Sequence, residues 1–521
     1  MGWGAPFLQA LSSAGPYAPL FTVRRVKHFA EPGNAFEASS SPGLATAYRV
    51  GELRVEGQNI VPRSWSPTIG AFSVEIVGDP TDALLSLPRG SIIEVMCSLG
   101  GSEGRIAVGQ VRTLRGSAPR IQIECLDLFS ALRSPLDSTA DAPFSSVSSS
   151  TTTTALAASG AATYTVASTT GFARQTGGLG AFLVTPASGD PYYRIWNAST
   201  ATTFTIEDPS DAQEMGTTDI GCLVGAGIAE IAYLYGHPFD IARKILTSTG
   251  AGTNGAYDLY PQDWGLGVLA DYVDDSDIEA WEAYVAVASG AYTIQIPIDA
   301  ETGAAVTDPL DWLIGILSPF GIWPTVRQGS ITLRAVQGTH LTTGVRYATD
   351  ASGGTFTVAL AEVVAVLDYD AWSPDHPHEY ETTTVQTAST SRSISDGASA
   401  SLPGGGSLTH DLSATVFENE SAISADVAAR VFEADVRIPE RLRLRLRGMR
   451  AAVLCPGDVI VLDLATGGPT EIVYCRDGGS FVGRAAMVHE MSPDWMGGVV
   501  DLGLWVYPDL STTPSGSSEV A

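Results

Sequence analysis

The chain has 521 residues, too many for one hydrophobic core, and its 44% hydrophobic fraction supplies apolar side chains for several. Asp and Glu number 57 against 29 Lys and Arg, and the formal charge of −28 disfavours nucleic acid or anionic lipid as a bound partner. With 55 glycines and 30 prolines, turns are frequent, which suits many short strands better than long helices.

Reading along the chain, the first twenty residues lack a basic n-region, since Arg24 is the first Lys or Arg, so no secretory leader is expected. Residues 1–22 are read as an N-terminal arm. From Tyr48 to Leu132 the pattern is strand after strand, at 53–55, 72–77, 91–95 and 121–125, each bounded by Gly, Pro or Asp. Residues 23–144 therefore read as a first barrel-like β domain, closed by a short helix at 127–132. Residues 145–154 are almost all Ser and Thr and read as a linker. Four further strands, at 162–166, 181–184, 192–196 and 203–206, make 145–222 an inserted small β module. The apolar stretch 220–235 is broken by Glu230 and is too short for a bilayer span, so no membrane anchor is expected.

Residues 223–354 read as a mixed α/β middle. A helix begins at Pro238 and carries Ile241 and Ile245 on one face, with Gly250 as a stop signal. Ser276-Asp277-Ile278-Glu279 has the spacing of a capping box. Asp308-Pro309 reads as an N-cap with proline in the first turn, and 331–334 as a strand. Residues 355–508 read as a second barrel-like β domain, with strands at 355–358, 363–367, 441–447, 459–462 and 499–504. A polar loop ending in Gly404-Gly405-Gly406 and a helix over 422–434 lie within it. Residues 509–521 are Ser, Thr and Gly rich and read as a disordered tail.

Few motifs point to chemistry. Gly250-Ala251-Gly252-Thr253-Asn254-Gly255 has the glycine spacing of a dinucleotide loop but follows a helix, so it reads as a cap and turn. Asp375-His376-Pro377-His378-Glu379 has metal-ligand residue types, yet the proline holds an extended chain whose neighbouring side chains diverge. Asp271, Asp274, Asp275, Asp277 and Glu279 form an acidic run without the glycine of a calcium loop, and the helix dipole accounts for it. No catalytic, cofactor or metal site is assigned. The five cysteines, Cys97, Cys125, Cys222, Cys455 and Cys475, form no CxxC and read as buried free thiols, with a Cys455–Cys475 pairing left open. Of the 29 basic residues only Lys27 and Lys244 are lysines. Arginine's planar fork suits fixed carboxylate pairs, and a GC-rich genome would produce the same skew.

The least ordinary element is Arg441-Leu442-Arg443-Leu444-Arg445-Leu446-Arg447. Strand geometry puts Arg441, Arg443, Arg445 and Arg447 on one face and the leucines on the other. Aligned guanidinium groups need facing carboxylates, supplied either by a neighbouring strand of the same chain or by a partner. The four arginines are accordingly the candidate protein interface.

A family resemblance rests on Gly51-Glu52-Leu53-Arg54-Val55, Ser64-Trp65-Ser66-Pro67, Val74-Glu75-Ile76-Val77-Gly78-Asp79 and Ile123-Glu124-Cys125-Leu126-Asp127. It continues through Trp264-Gly265-Leu266-Gly267, Gly329-Ser330-Ile331-Thr332-Leu333-Arg334 and Cys455-Pro456-Gly457-Asp458-Val459-Ile460. Over residues 45–505 the order and pattern resemble bacteriophage tail-tip, or baseplate hub, proteins. The resemblance implies a homotrimer whose two barrel-like domains per subunit form a pseudo-sixfold ring at the end of the tail tube. Its implied partners are a distal tail protein, a tip or fibre protein and a tape-measure protein, with genomic DNA passing through unbound. The implied location is the virion tail tip, after synthesis in the host cytoplasm, and the implied role is structural, not enzymatic. The 145–222 module departs from the minimal family pattern. Two other classes stay open: a distal-tail adaptor or receptor-binding protein, and a tail-associated cell-wall hydrolase or peptidase.

Overall fold

Alternating burial is the organising feature of the chain. Ala71–Val77 and Arg120–Asp127 each bury every second residue, which curls a sheet around one apolar interior. The computed structural model describes residues 3–13, 17–26, 48–61, 65–68, 70–77, 92–117, 120–128, 149–172, 179–210, 213–214, 217–247, 268, 272–289, 294–298, 308–337, 345–370, 380–387, 390–395, 406–412, 416–417, 420–435, 440–464, 481–506 and 518–520. The fold is mainly β.

Six antiparallel strands close into the first barrel, in the order Leu20–Val26, Tyr48–Val55, Ala71–Val77, Arg120–Asp127, Ser102–Ser117 and Ile92–Leu99. The first of these straddles the expected 22/23 boundary. Helix α1 (Ala5–Ser12) packs against the barrel: a Cβ on Gly104 would lie 2.3 Å from the Phe7 ring. Trp3 ties the arm further, donating from Nε1 to the Arg105 carbonyl and packing edge-on against Trp495.

The second sheet runs Thr357–Ala359, Val459–Leu464, Phe481–Asp494, Val499–Val506, Glu440–Arg447 and Val363–Asp370. Its two edge strands are consecutive in the chain, joined by the short 3-10 turn Leu360–Glu362, so the sheet curls until its ends approach. Gln58–Val61, an excursion from the first barrel, pairs with Phe481–Asp494. The two β units also share one core, in which Val74, Ile123 and Val95 join Leu442, Leu444, Ile460 and Leu504.

A second core holds the middle together. Helices α2 (Pro238–Thr247), α3 (Asp275–Ser289), α4 (Pro309–Leu317) and α5 (Glu420–Asp435) gather with the hairpin of Ile322–Arg327 and Ser330–Ala335. The Asp308 cap is present, its Oδ1 accepting from Asp311 N at 3.0 Å. Helix α3 differs from expectation. It starts at Asp275, and Asp274, not Ser276, is the capping side chain, accepting from Ser276 Oγ and Asp277 N.

The 149–229 region forms a small barrel around its own aromatic core of Tyr164, Phe182, Tyr192, Trp196 and Phe204. The Ser/Thr segment is not simply a linker. Ser150–Thr152 pairs with Gly227–Gly236, and Thr153 bridges to Val166, because threonine is a good strand residue once a partner backbone is present. Gly227–Gly236, which lies wholly beyond the expected 222/223 boundary, thus belongs to the small barrel and pairs onward with Ile294–Ile298.

Other expectations change too. The polar loop before Gly406 contains Tyr380–Gln386 and Ser391–Ser395, which with Gly406–Asp411 build a four-stranded sheet beneath α5. Its fourth strand is Ser518–Val520, paired with Ser393–Ser395. Asp127 ends a strand, and the rest of the helix expected at 127–132 lies beyond Leu128, outside the described residues. No helix among the described residues is long and apolar enough to cross a membrane.

Candidate functional site

The arginine strand, Glu440–Arg447, lies between Val363–Asp370 and Val499–Val506. Leu442, Leu444 and Leu446 are buried in the shared core, while the arginines face outward. Arg445 meets Asp501, directly opposite, through a fork of two hydrogen bonds at 2.7 and 2.8 Å. That carboxylate holds the Arg445 guanidinium pKa above its usual value. Arg443 lies opposite Gly503 and reaches over it to Glu490 on the next strand, 2.8 Å away. Only glycine leaves that path open, since a Cβ at 503 would lie 2.8 Å from Glu490 Cβ. Arg441 is half-buried between Asp370 and Trp505. Arg447 is exposed and makes no ion pair among the described residues. For Arg443 and Arg445 the facing carboxylates therefore come from the same chain.

A second charged cluster sits where three distant segments meet. Arg334, 1% exposed, donates from Nε to Asp458 at 2.9 Å and from Nη1 to Asp277 at 2.5 Å. Thr332 Oγ1 donates to the same Asp277 oxygen, and Arg327 approaches the other oxygen to 3.3 Å. The Trp281 ring lies against the guanidinium groups of both Arg334 and Arg346. Burial pushes the Asp277 pKa up, but the guanidinium charges of Arg334 and Arg327 outweigh it and hold the carboxyl at about 2.

The Pro456-Gly457-Asp458 turn is shaped for this seam. Asp458 uses its second oxygen to accept from Cys455 N at 2.9 Å, closing its own turn. Gly457 has φ +106°, and a Cβ there would lie 2.7 Å from Trp323 and 2.8 Å from Arg334. The sequence shows Asp277, Arg334 and Asp458 in separate motifs and does not join them. The signals available were a charged residue inside an apolar strand at Arg334 and the Pro-Gly-Asp motif itself.

Of the acidic run, Asp275, Asp277 and Glu279 pair with arginines, Asp274 caps α3, and Asp271 lies outside the described residues. Arg243 on α2 contacts Asp240, Asp275 and Glu279 at 3.1, 3.3 and 2.9 Å, joining α2 to α3. Cys97, Cys125, Cys222 and Cys455 are buried free thiols. Burial pushes the Cys97 pKa up to about 12, so it is a poor nucleophile at neutral pH. Cys475, the 250–255 glycine motif and the 375–379 cluster lie outside the described residues. Among the described residues no three His, Cys, Asp or Glu side chains are grouped to hold a metal ion. What these arrangements supply chemically is fixed charge pairing between segments.

No protein-family profile and no curated protein matches the chain. Among solved structures it is similar to a tail protein from Neisseria meningitidis MC58, at 11% identity, covering 94% of this chain and 96% of that one with a TM-score of 0.40. It is also similar to the 43 kDa tail protein of prophage MuSo2 from Shewanella oneidensis, at 10% identity, 95% and 100% coverage and TM-score 0.37. A third is an E. coli component of the type VI secretion system, described as structurally similar to T4 bacteriophage tail proteins. It matches at 10% identity, covering 90% of this chain and 76% of that one, with TM-score 0.31. The structural neighbours include phage tail proteins. At these scores they are likenesses and carry nothing further.

Proposed function

We propose that the chain is a structural protein of a phage tail, a hub that closes the tail tube and joins the distal tail ring to tip or fibre proteins. The observation that carries this reading is the rigid pairing of two curled β units through a shared core and the grafted strand Gln58–Val61. Two such units fixed side by side are what a homotrimer needs to present six around one axis. The charge of −28 suits a channel through which DNA passes without sticking. A tape-measure protein would occupy that channel before ejection. In this reading the role is not enzymatic, and the protein is made in the host cytoplasm and resides at the virion tail tip. The domain limits at 144/145, 354/355 and 508/509 belong to the same proposal, with 22/23 moved to before Leu20 and 222/223 to after Ala229. So does a contact with another subunit or partner at the exposed end of the arginine strand, Arg445 and Arg447. The test is native mass measurement with negative-stain imaging of the purified chain. A trimer with a central hole is expected, and a stable monomer or a hexamer of identical subunits overturns the proposal.

A further inference from the structure

Three guanidinium groups share two carboxylates in the central seam, and the third is left over. Arg334 takes the close contacts, to Asp277 at 2.5 Å and to Asp458 at 2.9 Å. Arg327 has Asp277 Oδ1 at 3.3 Å and donates from Nε to the Val453 carbonyl at 3.3 Å. Arg346 approaches that same oxygen only to 3.9 Å, beyond hydrogen-bond distance. Its Nη1 is buried and makes no hydrogen bond among the described residues. The charged groups that bear on it are Asp277 and Asp458 against Arg334 and Arg327. Burial lowers the Arg346 pKa, as expected of a cation short of compensating charge.

Arg346 is nonetheless held firmly. Gln337, 1% exposed, grips its main chain twice: Arg346 N donates to Gln337 Oε1 at 2.6 Å, and Gln337 Nε2 donates to the Arg346 carbonyl at 3.1 Å. Tyr284 of α3 donates to the same Gln337 oxygen at 3.3 Å. A bridge from Tyr347 to Val459 fixes the segment beside the Pro-Gly-Asp turn. The guanidinium itself lies over the Trp281 ring, 4.7 Å from the centroid. A fork positioned in this way, without a carboxylate of its own, is preorganised for an oxyanion. The side chains of Arg346 and Arg327 remain 30% and 23% exposed, which leaves an edge open to solvent. Both reach within 4 Å of one Asp277 oxygen, close enough together for a single ligand to touch both.

Charge sets the class of that ligand. One excess positive charge calls for one negative charge, which a carboxylate supplies. A phosphate monoester carries more than one at neutral pH, and a chain of net charge −28 repels polymeric phosphate. We propose that the outer edge of the seam, Arg346 with Arg327, binds one carboxylate. Its source is either a small carboxylate anion in solution or an Asp or Glu side chain of another protein molecule.

The test uses the full chain, wild type and Arg346→Gln, with acetate as the probe at an ionic strength matched with sodium chloride. Saturation-transfer difference NMR detects bound acetate, and circular dichroism follows the fold, which should be intact once the surplus guanidinium is gone. If the carboxylate comes from solution, wild type gives an acetate signal that falls about fivefold or more in the variant. If a neighbouring molecule supplies it, acetate gives no signal, and the variant's oligomer dissociates in mass photometry at a concentration about tenfold higher or more. An acetate signal equal in the two proteins overturns the proposal, and so does the absence of both effects. Inorganic phosphate that displaces acetate at a concentration below acetate's own overturns the choice of carboxylate. Should Arg346→Gln fail to fold, Arg346→Lys keeps the charge without the fork and should weaken whichever effect wild type shows. A lysine variant equal to wild type overturns the site.

Discussion

Two buried arginines, one in the small barrel and one in the central seam, solve the same electrostatic problem in opposite ways. Arg194 is fully buried beside Glu214 and Asp219, at 3.7 and 3.6 Å, with the Asp208 carbonyl accepting from Nη2 at 3.2 Å. Tyr164 donates to the same Asp219 at 3.0 Å, so these partners all lie within the small barrel. Arg334 draws its carboxylates from 57 and 124 residues away in sequence, on α3 and on the Pro-Gly-Asp turn. The first arrangement stabilises a unit, and the second makes separate units depend on one another. Burying an ion pair is no free gain, but removing one partner leaves an uncompensated charge behind.

The largest expected effect is therefore Arg334→Met. It removes the guanidinium from buried Asp458 and leaves Asp277, of its arginine partners, only the longer contacts to Arg327 and Arg346, and should cost roughly 3–5 kcal/mol, seen as a large fall in the main thermal transition or loss of soluble protein. A main transition within a degree of wild type would show that the seam is not a shared support. Arg194→Met should cost a similar ~3–5 kcal/mol, but within the small barrel only. Calorimetry should then show a separate, earlier transition while the main one stays in place. A single shifted transition for the whole chain would erase the contrast between the two regions.

Acid titration sharpens the same contrast. Asp277 is held at about 2 against an ordinary 3.8, so its contribution is complete above the ordinary value and is lost as pH falls through the folded one. That difference is worth about 2 kcal/mol. Wild-type stability should drop between pH 4 and pH 2, and Asp277→Asn should remove that part of the drop, as followed by chemical denaturation at each pH. A slope unchanged in Asp277→Asn would assign it to other carboxylates.

The smallest folding effect is expected at the arginine strand. Arg443 and Arg445 are 36% and 45% exposed in their side chains, and exposed pairs contribute only ~0.2–1 kcal/mol each. Arg443→Glu with Arg445→Glu should stay folded by circular dichroism. Failure of ring or tail assembly in that folded variant is expected from the interface reading. Normal assembly into infectious tails would leave the stripe a solvated face neutralised by its own chain.

The parts of the fold readable in advance share a local cause. The Arg441–Arg447 alternation, the Asp308 cap, the helix expected over 422–434 and found over 420–435, and the strands expected at 203–206 and 459–462 are written in side-chain period and capping chemistry, which need no distant partner. The long strands Ser102–Ser117 and Phe481–Asp494 were not legible. They contain glycines or a proline and are bent by bulges, so their pairing is sustained by neighbours on both sides rather than by propensity. Ser150–Thr152 and Tyr380–Gln386 carry little apolar periodicity and become strands because another backbone lies beside them.

By itself the sequence determined the β-rich class, the acidity, the outward arginine stripe and a run of short strands after residue 145. Each follows from composition or from short-range periodicity. Tertiary structure alone decided that Asp501 and Glu490 answer the stripe and that Asp277, Arg334 and Asp458 form one seam. The physical reason is range. Periodicity acts over a few residues, whereas a charge pair forms wherever topology brings two side chains within about 4 Å, and sequence separation leaves no trace of that distance.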